Sequence, residues 1–337
     1  MRAAVLVQPG SLEIQEVDEP TIPREDQALV RIRRVGICGT DLHAFRGRQP
    51  FLSYPRILGH ELAVEVLEVG SAVSGVAPGD LAAVRPAIGC GTCDACRRGF
   101  ANACETLVVL GAHVDGGMRE RLLVPAAALH RSSTLTLDEL ALVEPLSIGG
   151  HAVVRGSPEP GERSLVIGAG PIGLAVTAHL LARGVRPWLA DVSPDRRAFA
   201  GRWSGADTLD LSPDAIGALR RVMGGQLPTL VFDATGSEAS MRAAFDLLAH
   251  GGRLVLVGLF QGDLSFHDPE FHRRELTVMG SRNATARDFE RSIELIEAGR
   301  ADVTAWITHR TTIESLPDAF STWESVGSGV IKAIVDL

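Results

Sequence analysis

From about residue 160 the chain follows a pattern that few folds accept: short apolar runs alternate with helical segments. The runs fall at 164–167, 187–192, 208–211, 230–234, 253–257 and 276–279. Between them apolar residues recur at helical spacing, as at 171–181 and 239–248. Six such strands with helices between them predict an α/β unit built on a doubly wound parallel sheet. A helix at Ala286–Glu297 is expected to close it.

The first strand runs directly into Gly168-Ala169-Gly170-Pro171-Ile172-Gly173, and a helix follows. A glycine turn alone says little, and one in a sheet protein that binds no nucleotide is the plain alternative. Here the strand, the helix and Asp191 at the end of the next strand all stand where a dinucleotide site needs them. Gly168 allows the tight turn, and Gly170 lets backbone approach a pyrophosphate. Gly173 permits close helix–strand contact, and Pro171 and Ile172 open the helix whose free N–H groups attract the anion. Asp191 would accept the adenosine ribose hydroxyls and repel a 2′-phosphate, which favours NAD. Arg196 and Arg197 nearby keep NADP as the lesser alternative.

The first 147 residues read differently, as short strands broken by Gly and Pro. Stretches 28–35 and 62–69 have the period of two of half-buried strands, and Pro78-Gly79-Asp80 precedes another at Leu81–Val84. This part is expected to be mostly β. It also holds all five cysteines. Four of them, Cys90, Cys93, Cys96 and Cys104, are spaced Cys-x2-Cys-x2-Cys-x7-Cys in a polar loop. Four thiolates so close in sequence can close around one tetrahedral zinc, a structural arrangement. A disulfide would need an oxidising compartment, and cysteines alone do not exclude an iron–sulfur cluster.

Cys38 stands apart, in Cys38-Gly39-Thr40-Asp41-Leu42-His43. Gly59-His60-Glu61 and Glu144-Pro145-Leu146 lie downstream. Singly these are a small core thiol and two common polar pairs. Together they offer a thiolate, an imidazole and carboxylates, a set suited to zinc. A catalytic zinc takes about three protein ligands and keeps a position open. With no sixth cysteine available, a carboxylate must be the third.

Composition removes several other classes. The 337-residue chain has a net charge of −8, which disfavours a phosphate backbone as partner and argues against reading the cysteine lobe as a nucleic-acid-binding ribbon. Lys332 is the single lysine, so Schiff-base and P-loop chemistry have almost no residue to work with. No apolar run approaches the ~20 residues of a membrane span, and the N-terminus lacks the form of a secretory leader. A cytoplasmic protein is expected.

Taken together, these segments resemble the zinc-containing medium-chain dehydrogenases, over essentially the whole length and in the same order. Glu144-Pro145-Leu146-Ser147 resembles the sorbitol and polyol branch. Val109-Leu110-Gly111-Ala112-His113-Val114-Asp115-Gly116-Gly117-Met118 and Gly280-Ser281-Arg282-Asn283-Ala284-Thr285 look closer to sugar-acid members such as gulonate or galactonate 5-dehydrogenases. The resemblance implies a GroES-like catalytic domain at 1–147, a Rossmann domain at 148–299 and a return to the first domain at 300–337. It implies that Cys38, His60 and Glu61 hold the catalytic zinc, with Glu144 reaching it directly or through water. Cys90, Cys93, Cys96 and Cys104 match the structural lobe. The implied reaction is reversible oxidation of a secondary alcohol of a polyol or sugar acid, with NAD as cofactor.

In that scheme Thr40 takes the alcohol proton and His43 passes it on. The resemblance places Arg282 where polyol members have an arginine that helps hold the water network of the zinc site. It is also a candidate for a substrate carboxylate, with a structural water anchor or a surface charge the plainer readings, and Arg46, Arg56 and His113 stand behind it. A homo-oligomer, dimer or tetramer, is expected from the resemblance. The rival readings are an L-threonine dehydrogenase or other zinc alcohol dehydrogenase, and a non-catalytic binding or regulatory protein on the same fold.

Overall fold

The computed structural model describes residues 1–50, 52–212, 214–323 and 329–337. The chain forms two compact units, Met1–Glu144 with Ala284–Leu337, and Pro145–Asn283.

In the first unit the strand Gln27–Ile37 is the axis of the largest sheet. It pairs antiparallel with Glu61–Val69 along one edge. Its other edge is shared: the first half, Gln27 to Arg31, pairs with Arg121–Pro125, and the second half pairs with Lys332–Asp336. The sheet runs on through Leu81–Val84 and Leu129–Arg131 on one side and Ile307–Thr312 on the other. A smaller sheet joins Arg2–Gln8 to Ser11–Glu16 and Arg56–Ile57. Alternation along these strands sends Val30, Ile32, Leu62, Val64 and Val66 into a core that also holds Leu6, Leu58, Met118 and Phe320. Each fully buried side chain of this size contributes roughly 1.5–3 kcal/mol.

The tail strands expected near 306–308 and 330–335 are found at Ile307–Thr312 and Lys332–Asp336, and both belong to this sheet. The helix Ala286–Glu297 also lies in this unit, not in the parallel-sheet unit it was expected to close. Its Phe289 stacks on His130, and its Glu297 accepts a hydrogen bond from Ser132. Helical spacing gives such a helix an apolar face but does not say which sheet receives it.

The second unit has the predicted parallel sheet. Its six strands lie in the order Asp207–Leu209, Trp188–Ala190, Ser164–Ile167, Leu230–Asp233, Arg253–Leu256, Thr277–Gly280. The order reverses direction beside Ser164–Ile167, the place where open α/β sheets bind ligands. The helix expected over 239–248 covers only Glu238–Ala244. Past Ala244 the amides of Asp246 and Leu247 turn back to Ala243 and Ala244 in a tighter turn, and the Ala249 N–H goes to the Pro228 carbonyl. The buried guanidinium of Arg274 donates to the carbonyls of Phe245 and Leu248. No helix among the described residues is long and apolar enough to cross a membrane.

His130 gives the first unit a calculable response to acid. Its ring lies 4.9 Å from that of Phe289, and its Nε2 is buried without a hydrogen-bond partner among the described residues. Burial, helped by Arg85 and opposed by Glu290, pushes its pKa down to about 4. A histidine held neutral stabilises fully above its unfolded pKa of roughly 6.5, and that stability is lost as pH falls toward the folded value. Between pH 7 and pH 5 the wild type should therefore lose about 2 kcal/mol more than a His130→Phe variant. Urea midpoints at the two pH values measure this, and equal losses would refute it.

Candidate active site

Three strands of the first sheet end at one place. Gly36 stands opposite Glu61 on one side and Ile334 on the other. That register sets Cys38, His60–Glu61 and Lys332 side by side, each just at or beyond a strand end. Cys38 then leads into the short helix Gly39–Phe45, and its N–H donates to Oδ2 of Asp41 at 2.9 Å.

The Cys38 thiol, a ring nitrogen of His60 and a carboxylate oxygen of Glu61 all lie within 4.8 Å of one another. His60 and Glu61 are buried and Cys38 is half-buried. One thiolate, one imidazole and one carboxylate in this arrangement fit zinc. Asp41, 1% exposed, backs the set. Its Oδ1 lies 3.6 Å from Nδ1 of His60 and accepts from the Gly59 N–H. Metal-binding histidines commonly turn their other nitrogen to a carboxylate in this way.

The protonation states follow from this crowding. Burial raises the pKa of Asp41, against the pull of His60 and the Cys38 N–H. Burial alone would lower His60, but Asp41, Cys38 and Glu144 together outweigh it and raise its pKa well above the usual value. Glu144, the second residue of the helix Val143–Gly156, is buried as well. Burial pushes its pKa up to about 7, with His60 and Lys332 opposing and Glu61 and Asp41 adding.

Lys332 was given no part by the sequence. The structure buries it at 2% exposure and points Nζ at Glu61, 2.7 Å from Oε1 and 2.8 Å from Oε2. Its third hydrogen bond goes to the Ile37 carbonyl at 3.0 Å. Burial disfavours its charge, yet Glu61, Cys38 and Glu144 more than compensate and raise its pKa. Gly36 and Asp41 were passed over too. A signal for Lys332 was present: a lone lysine opening an apolar strand in a chain that otherwise uses arginine.

Thr40 lies in the first turn of the short helix, 3.5 Å from the Cys38 sulfur through its hydroxyl. His43 is on the exposed side of the same helix. The partial enclosure of its ring, with Arg46 and Arg48, lowers its pKa.

The four remaining cysteines converge separately, with all four sulfurs within 4.8 Å of one another. Backbone amides serve the sulfurs: Cys90 N donates to Cys104 at 3.2 Å, Cys93 N to Cys90 at 3.3 Å and Cys96 N to Cys93 at 3.4 Å. Donation from Thr92 and Cys93 brings Cys90 down to about 5. Burial and the neighbouring sulfurs push Cys96 up to about 12. The donor set and its N–H···S bonds fit one closed tetrahedral metal.

In the second unit the glycine turn is built as expected. Gly168 has φ +100°, and a Cβ on Gly173 would stand 1.7 Å from the Gly168 carbonyl oxygen. Pro171 starts the helix Pro171–Ala182, with Gly170 as its cap and Ile172 in its first turn. Asp191 accepts from Ala169 N at 2.7 Å and from Ser193 N at 2.8 Å, so its carboxylate is held beside the turn. Arg197 is engaged with the Asp191 carbonyl and Asp210, whereas Arg196 is exposed near Gly170.

Of the candidates for a substrate carboxylate, Arg56 is bound to Asp115 and Ser53, and His113 accepts the Val109 N–H. Arg46 is exposed, and Arg282 lies exposed in the second unit after the strand Thr277–Gly280.

Comparison with known proteins relates the whole chain to a family of dehydrogenases. Residues 24–134 match the alcohol dehydrogenase GroES-like domain, and residues 171–298 match the zinc-binding dehydrogenase family. The chain is 41% identical to the L-galactonate-5-dehydrogenase of Escherichia coli K12 over 99% of its own length and 98% of that protein. It is 30% identical to the sorbitol dehydrogenase of Bacillus subtilis, covering 95% of this chain and 92% of the other. The crystal structure of the alcohol dehydrogenase rspB from Escherichia coli CFT073, complexed with NADH, superposes with a TM-score of 0.93 at 30% identity, covering 100% and 99% of the two chains.

Gly36 offers a test of the first donor set. A Cβ there would fall 2.1 Å from Oε2 of Glu61. Gly36→Ala should displace that carboxylate and weaken zinc at the Cys38 cluster by roughly tenfold or more, the scale seen when a ligand loses its support. Competition with a chromophoric chelator would show this, while the four-sulfur site keeps its zinc. Unchanged affinity would show that Glu61 does not contribute to binding.

Proposed function

We propose, from the premise that this chain belongs to the zinc-containing medium-chain dehydrogenases, that it reversibly oxidises a secondary alcohol of a sugar acid or polyol to the ketone, with NAD as partner. The observation that carries this reading is the cluster of Cys38, His60 and Glu61 at the end of the three strands, with buried Glu144 near enough to feel the charges of His60 and Glu61. When bound, zinc supplies the Lewis acidity that makes an alcohol acidic near neutral pH, and the dinucleotide supplies the hydride acceptor.

The chain's own residues have separable tasks in this scheme. Cys38 and His60 hold the metal with one carboxylate, Glu61 or Glu144, and Asp41 fixes the His60 ring. The Thr40 hydroxyl receives the alcohol proton, and His43 carries it toward solvent. The lowered pKa of His43 supports this, since a neutral imidazole can accept a proton. Arg282 is assigned to the substrate, where a guanidinium would pair with the carboxylate of a sugar acid. Cys90, Cys93, Cys96 and Cys104 hold a second, structural zinc. Gly168, Gly170, Pro171, Ile172 and Gly173 receive the pyrophosphate and Asp191 the adenosine ribose, with Arg196 at the rim.

A sugar acid is favoured over a simple polyol because the relative with 41% identity acts on L-galactonate. A cytoplasmic location and a homo-oligomer, dimer or tetramer, complete the reading. The strand Thr277–Gly280 ends its sheet with largely exposed residues, which supports pairing with a second copy.

The decisive experiment follows NADH formation over aldonates, polyols and L-threonine, before and after chelation, with zinc counted in parallel. Turnover of an aldonate or polyol, abolished by chelation, with close to two zincs per chain at full activity, is the expected result. Turnover of L-threonine alone would reassign the substrate, and no turnover with a single zinc would leave a binding protein. The cofactor assignment has its own check. Asp191→Ser should raise KM for NAD by roughly tenfold or more, the scale of one charged hydrogen-bonding group, and admit NADP. Unaltered kinetics with both dinucleotides would remove Asp191 from the site.

A further inference from the structure

The single lysine of this chain lies against a carboxylate of the proposed zinc site. Its ammonium meets both oxygens of Glu61 almost equally, at 2.7 and 2.8 Å, and therefore sits in the notch between them. The third donor of the ammonium is used on the Ile37 carbonyl at 3.0 Å, so Nζ is held from three directions. Neither partner has water to fall back on, since Lys332 is 2% and Glu61 1% exposed. On its other flank the carboxylate lies against Gly36, where even a Cβ would come within 2.1 Å of Oε2.

A carboxylate can bind a cation through one oxygen or chelate it through both. Chelation needs the notch that Nζ fills, and a dication and an ammonium cannot share it. One oxygen still has a lone pair directed away from Lys332. Glu61 is thus limited to a single-oxygen contact, or none. This matters because a catalytic zinc must keep a coordination position free. Residue type fits the task as well. The other 32 of the 33 basic residues counted as Lys or Arg are arginine, yet at this point three acceptors converge on one nitrogen. A compact ammonium meets that geometry and a planar guanidinium does not.

We propose that Lys332 is a positioning residue that blocks the chelating notch of Glu61 and so keeps a coordination position of the zinc open for the substrate oxygen. The inference rests on zinc binding at Cys38 and His60. Three full-length proteins test it: wild type, Lys332→Met, and Lys332→Met combined with Glu61→Gln. Each is measured for zinc affinity by chelator competition and for visible absorption after cobalt(II) exchange. The four-sulfur site is common to all three and subtracts out.

In Lys332→Met the freed Glu61 should chelate. Zinc should bind about tenfold tighter or more, on the scale that outer partners exert. The cobalt bands of the Cys38 site should weaken, as they do when coordination number rises above four. KM for the alcohol should climb more than kcat falls, and the double variant should return to the wild-type spectrum. An unchanged cobalt spectrum, or weaker zinc binding, would overturn the proposal and leave Lys332 as a neutralising charge. If wild type binds metal only at the four cysteines, the zinc-site reading fails and this inference fails with it.

Should Lys332→Met not fold, the wild type alone suffices. Uniform labelling of lysine with nitrogen-15 gives one side-chain signal, because there is one lysine. A protected ammonium signal that survives zinc loading supports the blocked notch, and loss of that protection refutes it.

Discussion

The pairing of Gly36 with Glu61 on one side and Ile334 on the other underlies everything that happens at this site. It joins three segments distant in sequence at the same rung of one sheet, and it does so at a residue without a side chain. A register slip of one residue would turn Glu61 to the opposite face. The surrounding core makes that slip costly, because Leu62, Val64 and Val66 would leave it together. The precision of the metal cluster is therefore inherited from hydrophobic packing. The candidate ligands sit at or just beyond strand ends, where the sheet is stiff and the next residues are free to serve chemistry.

The region around these strand ends gathers much buried charge. Asp41, Glu61, Glu144, His60 and Lys332 are all buried, and they are arranged in opposed pairs. Asp41 faces His60, and Lys332 faces Glu61. Removing one member of such a pair typically costs about 3–5 kcal/mol, since the other is left uncompensated. Glu144 is the odd member, with burial holding its pKa near neutrality. That is a natural position for a group that works beside a metal whose own charge can settle it.

Much of this was legible in the sequence, and the reasons are local. The strand Ser164–Ile167 and its glycine turn announce themselves because backbone geometry there admits few residues. The cysteine lobe is legible because its ligands lie within fifteen residues of one another. Cys38, His60 and Glu61 required recognising short segments together, and the structure brings them together. Lys332 and Gly36 escaped notice because their roles exist only across strands, where sequence order carries no information. The helix Ala286–Glu297 was legible as a helix but not in its allegiance, and the span 239–248 ended early, where the chain tightens into a turn and its later backbone groups bond Pro228 and Arg274 across the fold.

The cysteine lobe has a consequence for how the protein would age in a cell. Its helix Asp94–Arg97 buries no residue, and Cys90 is exposed, so the proposed sulfur ligation would do there what a core does elsewhere. A segment with so few apolar contacts opens at little free-energy cost once its clasp is gone. If zinc binds as proposed, a shortage of it would empty two sites, and four neighbouring thiols, one already acidic, would be released to oxidants. Cross-linked sulfurs cannot take a metal back unaided, so on that reading a passing shortage of zinc would be recorded as lasting damage in the four-cysteine loop.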